Sequence, residues 1–132
     1  MKESEKLVSK VLMQYQDALN ASDTEMVMAL YAEDGVFMPQ HFASSVGEQA
    51  VRKAYDGVFE AITLKVMFAI AEVRELAPEW IMARTNSAGT VTVHATGESN
   101  AEANQELFVF QKIAGAWKIA RYCFSTTNPP RA

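Results

Sequence analysis

Apolar residues recur every three to four positions in two stretches of the chain, which is the spacing of one face of a helix. These stretches predict helices over about 3–20 and 48–61. Between them, Ser22 and Glu25 have the spacing of a capping box, in which each side chain bonds the backbone amide of the other. We therefore predict a short second helix that begins at Ser22 and runs to about Ala32.

From Thr63 onward the apolar period changes to two, and β-branched and aromatic residues dominate, which is typical of strands. A short strand is also predicted over 36–39, followed by a loop or second small strand over 40–46. In the long second strand of the later half, we expect a bulge or bend at Ala88-Gly89. Turn signals divide that half into predicted strands over 63–75, 79–96, 104–113 and 116–126.

Three helices followed by a run of strands predict an α+β fold, and the short connections between strands imply antiparallel hairpins. The chain has 132 residues, so we expect one domain over 1–132. Both alternating sets of residues in 64–71 are apolar apart from Lys65. Because helices cover only one face of a sheet, the other face needs a cover, and we predict a homodimer through it.

Charge and cysteine content narrow the function classes. Twelve Lys and Arg residues against sixteen Asp and Glu residues give a net charge of -4, with no basic cluster, which argues against nucleic acid or membrane as partner. Cys123 is the single cysteine, so no internal disulfide forms. The charged start of the chain is unlike a signal peptide, and a cytoplasmic protein is expected.

Several local phrases resemble the nuclear transport factor two-like superfamily, which includes ketosteroid isomerases and SnoaL-like polyketide cyclases. The phrases are YQDALNASD at 15–23, LYAEDGVF at 30–37, GEQAVR at 47–52 and GAWKI at 115–119. The resemblance is closest to small SnoaL-like members and covers nearly the whole chain. It implies a cone-shaped, cystatin-like roll with a deep pocket on the concave side of the sheet, whose polar groups set the function.

Candidate catalytic residues follow from this resemblance. Ketosteroid isomerase uses an Asp base and an oxyanion hole made by a Tyr and a protonated acid. Tyr15 matches the oxyanion-hole Tyr, and Glu106 falls near the position of the protonated acid. The expected Asp at the end of the first strand is absent, so His41 is the predicted base. The plainer alternatives are a core tyrosine, a surface carboxylate and a loop histidine.

Further side chains are candidates for ligand contact. By alternation, Phe108 and Phe110 share a strand face with Glu106. A second set, Trp80, Arg84 and Asn86, alternates on the second long strand. That set binds an anionic or carbonyl-rich ligand if its side of the strand faces the pocket, and makes solvent or dimer contacts if it faces outward. For Tyr122 in the last strand, the same two alternatives of pocket side and outer side are open.

Together these features predict a protein that binds a small hydrophobic carbonyl-bearing molecule. If it is an enzyme, it is a cofactor-independent isomerase or cyclase that abstracts a proton next to the carbonyl, with Tyr15 and protonated Glu106 donating to the enolate. The alternative is a non-catalytic ligand-binding or association module. No metal site is predicted, because His41 and His94 are the only histidines and neither has an acid at ligand spacing.

Overall fold

The computed structural model describes residues 2–130, which form helices at the start of the chain and long strands in its second half. No helix in that part of the chain is both long enough and apolar enough to cross a membrane. The elements are α1 Glu3–Asn20, α2 Thr24–Met28, β1 Tyr31–Met38, β2 Ser45–Val46, α3 Glu48–Ala61, β3 Ile62–Ala77, β4 Trp80–Val93, β5 Ser99–Ile113 and β6 Ala116–Thr126.

The strands form one curved, unclosed sheet in the order β2-β1-β6-β5-β4-β3. The later four strands pair as antiparallel hairpin neighbours, and β1 joins the edge of β6 in parallel. The predicted α+β class is confirmed. The predicted alternation along the strands gives the sheet one face that packs against the helices. Most buried residues that face the helices are apolar, so burial of that face stabilises the packing of helices on the sheet.

Helix α1 is fixed to the edge strand β3 by two polar side chains. The Asn20 side chain accepts a hydrogen bond from the Val66 amide at 2.8 Å and donates to the Val66 carbonyl at 3.0 Å. One helical turn earlier, the Gln16 side chain accepts from the Phe68 amide at 2.8 Å. These bonds satisfy backbone groups that an edge strand otherwise leaves unpaired, and they hold α1 across the sheet.

The sheet has an inner face, which we define as the face toward α1, and an outer face on the opposite side. Along β4, Ile81, Ala83, Thr85 and Ser87 are buried on the inner face, and the residues between them are exposed or half-buried. The alternation continues on β5, where Phe108 and the other even-numbered residues from 106 to 110 are buried. The face of each candidate residue therefore follows from its strand position.

The second helix is shorter than the sequence predicts. Asp23, rather than Ser22, caps α2 by accepting a hydrogen bond from the Met26 amide at 3.1 Å. The helix ends at Met28, and Tyr31 already pairs with Ile119 in β6. Pairing with β6 therefore overrides local helix propensity at Tyr31 and the residue after it.

Of the bulge or bend expected at Ala88-Gly89, the bulge is wrong, because the pairing of β4 with β3 is regular there and shifts only between Ile70 and Glu72 and between Glu75 and Ala77. Gly89 is needed for a different reason. A Cβ atom at this position would lie 1.8 Å from the Lys65 carbonyl oxygen, so only glycine allows the two strands to approach this closely.

Candidate functional site

The protein has four tyrosines, and all of them lie buried together between the helices and the inner face of the sheet. Tyr15 on α1 and Tyr55 on α3 place their hydroxyl oxygens 2.7 Å apart. The Tyr31 hydroxyl lies 2.7 Å from that of Tyr55 on its other side. The three hydroxyls therefore form one hydrogen-bonded chain, Tyr31–Tyr55–Tyr15, which we call the tyrosine chain.

Burial determines the ionisation of the tyrosine chain. Removal from water raises the pKa of each of the three phenols well above its ordinary value, because the charged form loses its hydration. All three therefore stay neutral, and each has one proton to donate. If the chain is oriented from Tyr31 toward Tyr15, the proton of the Tyr15 hydroxyl is left for another acceptor.

Glu106 is a buried carboxylate on the inner face of β5, only 5% exposed. The Thr85 hydroxyl donates to one carboxylate oxygen at 2.5 Å, and the Ser87 hydroxyl donates to the other at 2.5 Å. Both donors come from β4, where Thr85 pairs directly with Glu106. Burial raises the pKa of Glu106, and the two hydroxyl bonds oppose that effect because they stabilise the charged form.

An aromatic layer connects the tyrosine chain to Glu106. The Phe108 ring stacks on the Tyr122 ring with 4.2 Å between centroids, and the Tyr15 ring meets both at 5.8 and 5.5 Å. Burial raises the pKa of Tyr15 and of Tyr122, and the Glu106 charge adds to that rise. Tyr15, Phe108 and Tyr122 thus pack together, and Glu106 is buried on the same face of β5 as Phe108.

The inner face is closed on one side of Glu106 and partly open on the other. Phe108 and Phe110, on the side of the β5–β6 turn, are buried, whereas Asn104 and Phe124, beyond Glu106, are only half-buried. We call this second region the open end. Its inward residues include Leu64, Val66, Gly89, Val91, Asn104 and Phe124. Glu106 therefore lies at the base of a half-covered apolar region, rather than in the deep pocket that the resemblance implies.

Two other concavities are weaker candidates for a functional site. The space beside Leu7, Val11 and Trp117 is apolar and too small to admit water. A surface groove of about 570 Å³ is lined by Tyr31, Ala32, Glu33, Asp34, Ile113 and Lys118. Its cationic group is already engaged, because the Lys118 ammonium donates to the Ala29 carbonyl at 2.7 Å. Within residues 2–130, no three side chains of the metal-ligating types form a group.

The structure does not bring His41 to this site. His41 is exposed in the loop after β1, has a φ of 72°, and its Nε2 atom lies 2.7 Å from the side-chain nitrogen of Gln40. His94 is also engaged elsewhere. Its Nδ1 atom contacts the Glu60 carbonyl oxygen at 2.7 Å and its Nε2 atom contacts the Thr63 hydroxyl at 2.7 Å, at the end of α3.

Trp80, Arg84 and Asn86 lie on the outer face, away from the site. Of the two alternatives that the sequence left open, this places them on the side of solvent or partner contacts. Arg84 donates to Glu72 at 2.7 Å, and this hydrogen bond lowers the pKa of the Glu72 carboxyl below its ordinary value. Phe110, in contrast, is buried on the inner face and stacks on Phe108.

Sequence reasoning missed Tyr31, Tyr55, Thr85 and Ser87. Tyr55 falls on the apolar face of the helix predicted over 48–61, and nothing in its spacing signals a hydroxyl contact with two distant phenols. Thr85 and Ser87 carried a usable signal, because they share the alternating set of the buried Ile81 and would need a buried polar partner. That partner becomes visible only from the pairing of β4 with β5.

The SnoaL-like domain family model matches residues 12–121, and the chain belongs to this family. It is 34% identical to a ketosteroid isomerase-like protein from Erwinia carotovora atroseptica, covering 98% of this chain and all of that one, with a TM-score of 0.92. The predicted family resemblance is therefore confirmed.

More distant structures share the fold. A putative scytalone dehydratase from Novosphingobium aromaticivorans is 17% identical, with 97% of this chain and 89% of that one covered and a TM-score of 0.82. A putative calcium/calmodulin dependent protein kinase II association domain from Xanthomonas campestris is 21% identical, with 93% and 87% covered and a TM-score of 0.78. None of the curated proteins compared with the chain matches it.

The tyrosine chain makes a prediction about stability. Tyr55→Phe removes the central hydroxyl and leaves those of Tyr15 and Tyr31 without their partner, whereas Tyr31→Phe breaks one contact at the end of the chain. Because an unsatisfied buried hydroxyl costs about 1–3 kcal/mol, Tyr55→Phe should lower the free energy of unfolding more than Tyr31→Phe does. Urea denaturation measures both values. Equal losses in the two variants would contradict a chain centred on Tyr55.

Proposed function

We propose that this protein binds a small, mostly apolar molecule that carries a carbonyl group, and that the molecule enters at the open end. In this proposal the helices and curved sheet form the cone-shaped, cystatin-like roll that the sequence resemblance implies. The observation that carries the proposal is Glu106, a buried carboxylate at the base of a half-covered apolar region. Apolar walls with few convergent polar groups are typical of small-molecule sites.

The tyrosine chain supports a carbonyl as the polar group of the ligand. A carbonyl oxygen only accepts hydrogen bonds, and the chain can present one phenol proton from Tyr15. Neutral phenols in an aromatic layer are suited to stabilise negative charge that develops on such an oxygen, because the donors are fixed in position and water is excluded. The side chains of Phe108 and Tyr122 supply that layer.

We further propose that the bound molecule reacts by proton abstraction next to the carbonyl, which leads to isomerisation or cyclisation. A carboxylate with a raised pKa beside a phenol donor is the pair that this reaction needs. Support comes from the 34% identical relative, which is described as ketosteroid isomerase-like. In the isomerisation only a proton is relocated, in the cyclisation the enolate carbon forms a bond to an electrophilic carbon of the same molecule, and neither route needs a cofactor.

Ligand binding tests the location of the site. We choose 2-naphthol as the probe, since it is a planar, apolar analogue of the enol of a bicyclic ketone. Val91→Trp would fill the open end from the inner face, and Thr90→Trp is the matched control, one residue away on the outer face of the same strand. Calorimetric titration should show binding to the wild type and Thr90→Trp, with at least about tenfold weaker binding to Val91→Trp. Equal affinities in both variants would place the ligand elsewhere.

The outer face supports a second proposal, that two copies of the chain associate through it. Apolar side chains on this face are exposed in the single chain: Met67 is 72% exposed, Trp80 is 37% exposed and Leu107 is 40% exposed. Exposed large apolar side chains on one sheet face favour a partner that covers them. One structural relative is described as an association domain, which is compatible with such a role.

Sedimentation velocity tests this association. We expect the wild type to sediment as a dimer and Leu107→Lys to sediment as a monomer, because a buried lysine in a symmetric interface meets its own copy or apolar surface. Met13→Lys is the matched control, since Met13 is also an exposed apolar residue, 50% exposed, but lies on α1. A monomeric wild type, or an unchanged dimer in Leu107→Lys, would rule out this interface.

A further inference from the structure

We propose that Thr85 and Ser87 are positioning residues that hold Glu106 as a carboxylate, and that Glu106 is the proton acceptor of the site. This inference rests on the proposed function, because it assigns a role within the proposed reaction. It also changes the role that the sequence suggested for Glu106, which was a protonated hydrogen-bond donor working beside a separate base at His41.

The hydrogen-bond pattern around Glu106 fits the ionised form. Thr85 donates to one oxygen and Ser87 to the other, each at 2.5 Å. A carboxylate accepts both bonds at once. A protonated carboxyl carries its proton on one of the two oxygens, so it satisfies the same surroundings only if that proton finds an acceptor and a hydroxyl turns away. Two short hydrogen bonds, one to each oxygen, thus both stabilise the charged form of Glu106.

Strand pairing makes this arrangement rigid. Thr85 lies directly opposite Glu106 in the antiparallel ladder, and Ser87 lies two residues further along the same inner face. Side chains at such positions are neighbours by geometry, so the carboxylate is held from one side.

The other groups around Glu106 keep it a strong base. The titratable side chains that face it are Tyr15 on α1 and Tyr122 on β6, and both are neutral phenols. No ion pair joins Glu106 to a Lys or Arg within residues 2–130. Burial is therefore not offset by a cation, and the pKa of Glu106 stays above its ordinary value although two hydroxyls favour ionisation. A carboxylate in this state binds a proton more readily than one in water.

His41 does not fill the role of base. It is exposed and lies in a loop, with its ring against Gln40. Glu106, in contrast, is buried on the inner face beside Phe108 on the same strand. In the proposed site, Glu106 is the base and Tyr15 is the hydrogen-bond donor to the same bound molecule.

The reaction step balances without any further reactant. A carboxylate oxygen of Glu106 takes the proton from the carbon next to the carbonyl, and the C–H electron pair becomes the new C=C bond. The carbonyl π pair moves to oxygen, and this enolate oxygen accepts a hydrogen bond from the Tyr15 hydroxyl. Neutral Glu106 then returns the proton to a carbon of the same molecule. The substrate class is a ketone with an acidic neighbouring C–H bond.

Deuterium exchange tests the role of Glu106 directly. The probe is 2-tetralone, a bicyclic ketone, whose acidic hydrogens exchange in D₂O and are followed by proton NMR. We expect the wild type to accelerate exchange and Glu106→Gln to be at least about 100-fold slower, since general base catalysis contributes that much. Binding of 2-naphthol to Glu106→Gln should remain within a few-fold of wild type, because the amide keeps the shape and polarity of the side chain.

The positioning role has its own readout, which needs no ligand. The pKa of Glu106 can be measured by carbon-13 NMR of its side-chain carboxyl. Thr85→Val and Ser87→Ala each remove a donor to the charged form, so each should move this pKa upward and shift the pH profile of exchange to higher pH. Thr90→Val is the matched control on the outer face of the same strand and should shift neither.

The outcomes distinguish failure of the proton-acceptor role, of the positioning role and of the proposed function. Glu106→Gln at the wild-type exchange rate, or a wild type that binds 2-naphthol without exchanging 2-tetralone, would overturn the proton-acceptor role. An unchanged pKa of Glu106 in both Thr85→Val and Ser87→Ala would overturn the positioning role. If the wild type fails to bind 2-naphthol, the proposed function fails instead, and the carboxyl titration still decides whether the two hydroxyls control Glu106.

Discussion

A carboxylate buried between a helix and a sheet is the constraint around which this structure is arranged. Moving a charged group out of water costs several kcal/mol unless hydrogen bonds replace its hydration. At Glu106 those bonds come from Thr85 and Ser87, and both depend on the register of β4 against β5. A shift of that register by one residue would turn the two hydroxyls to the outer face and leave Glu106 unpaired.

The same constraint explains the surrounding aromatic residues. Each hydroxyl of the tyrosine chain has a partner within the chain, so the phenols can be buried without competing for the hydroxyls that bond Glu106. Phe108 and Tyr122 exclude water from the closed side, whereas Val91 and Phe124 leave the other side half-covered. The closed side of the inner face thus stabilises the fold, and the open end gives access to it. Glu106 lies at the boundary between the two.

Much of this arrangement follows from local patterns in the sequence, and the rest follows from pairing between distant segments. Periodicity predicts α1 and α3, and alternation places Glu106 and Phe108 on one face. The start of β1 at Tyr31 depends on contact with β6, which no local pattern reveals. The hydroxyl contacts of Tyr55 are equally invisible to local patterns, because its partners are 40 and 24 residues away along the chain. The choice of face for Arg84 required knowing which side of β4 meets α1.

The free energy of unfolding as a function of pH tests most directly whether Glu106 is buried and paired as described. A carboxyl whose pKa is raised in the folded state holds its proton more tightly there than in the unfolded chain. Its contribution to stability is therefore greatest at low pH and is lost as the pH rises from the ordinary value of 4.5 through the raised folded value. Urea denaturation of wild type and Glu106→Gln across this range should show wild type losing stability relative to the variant as pH rises. A difference that stays constant or grows in favour of wild type would contradict the account.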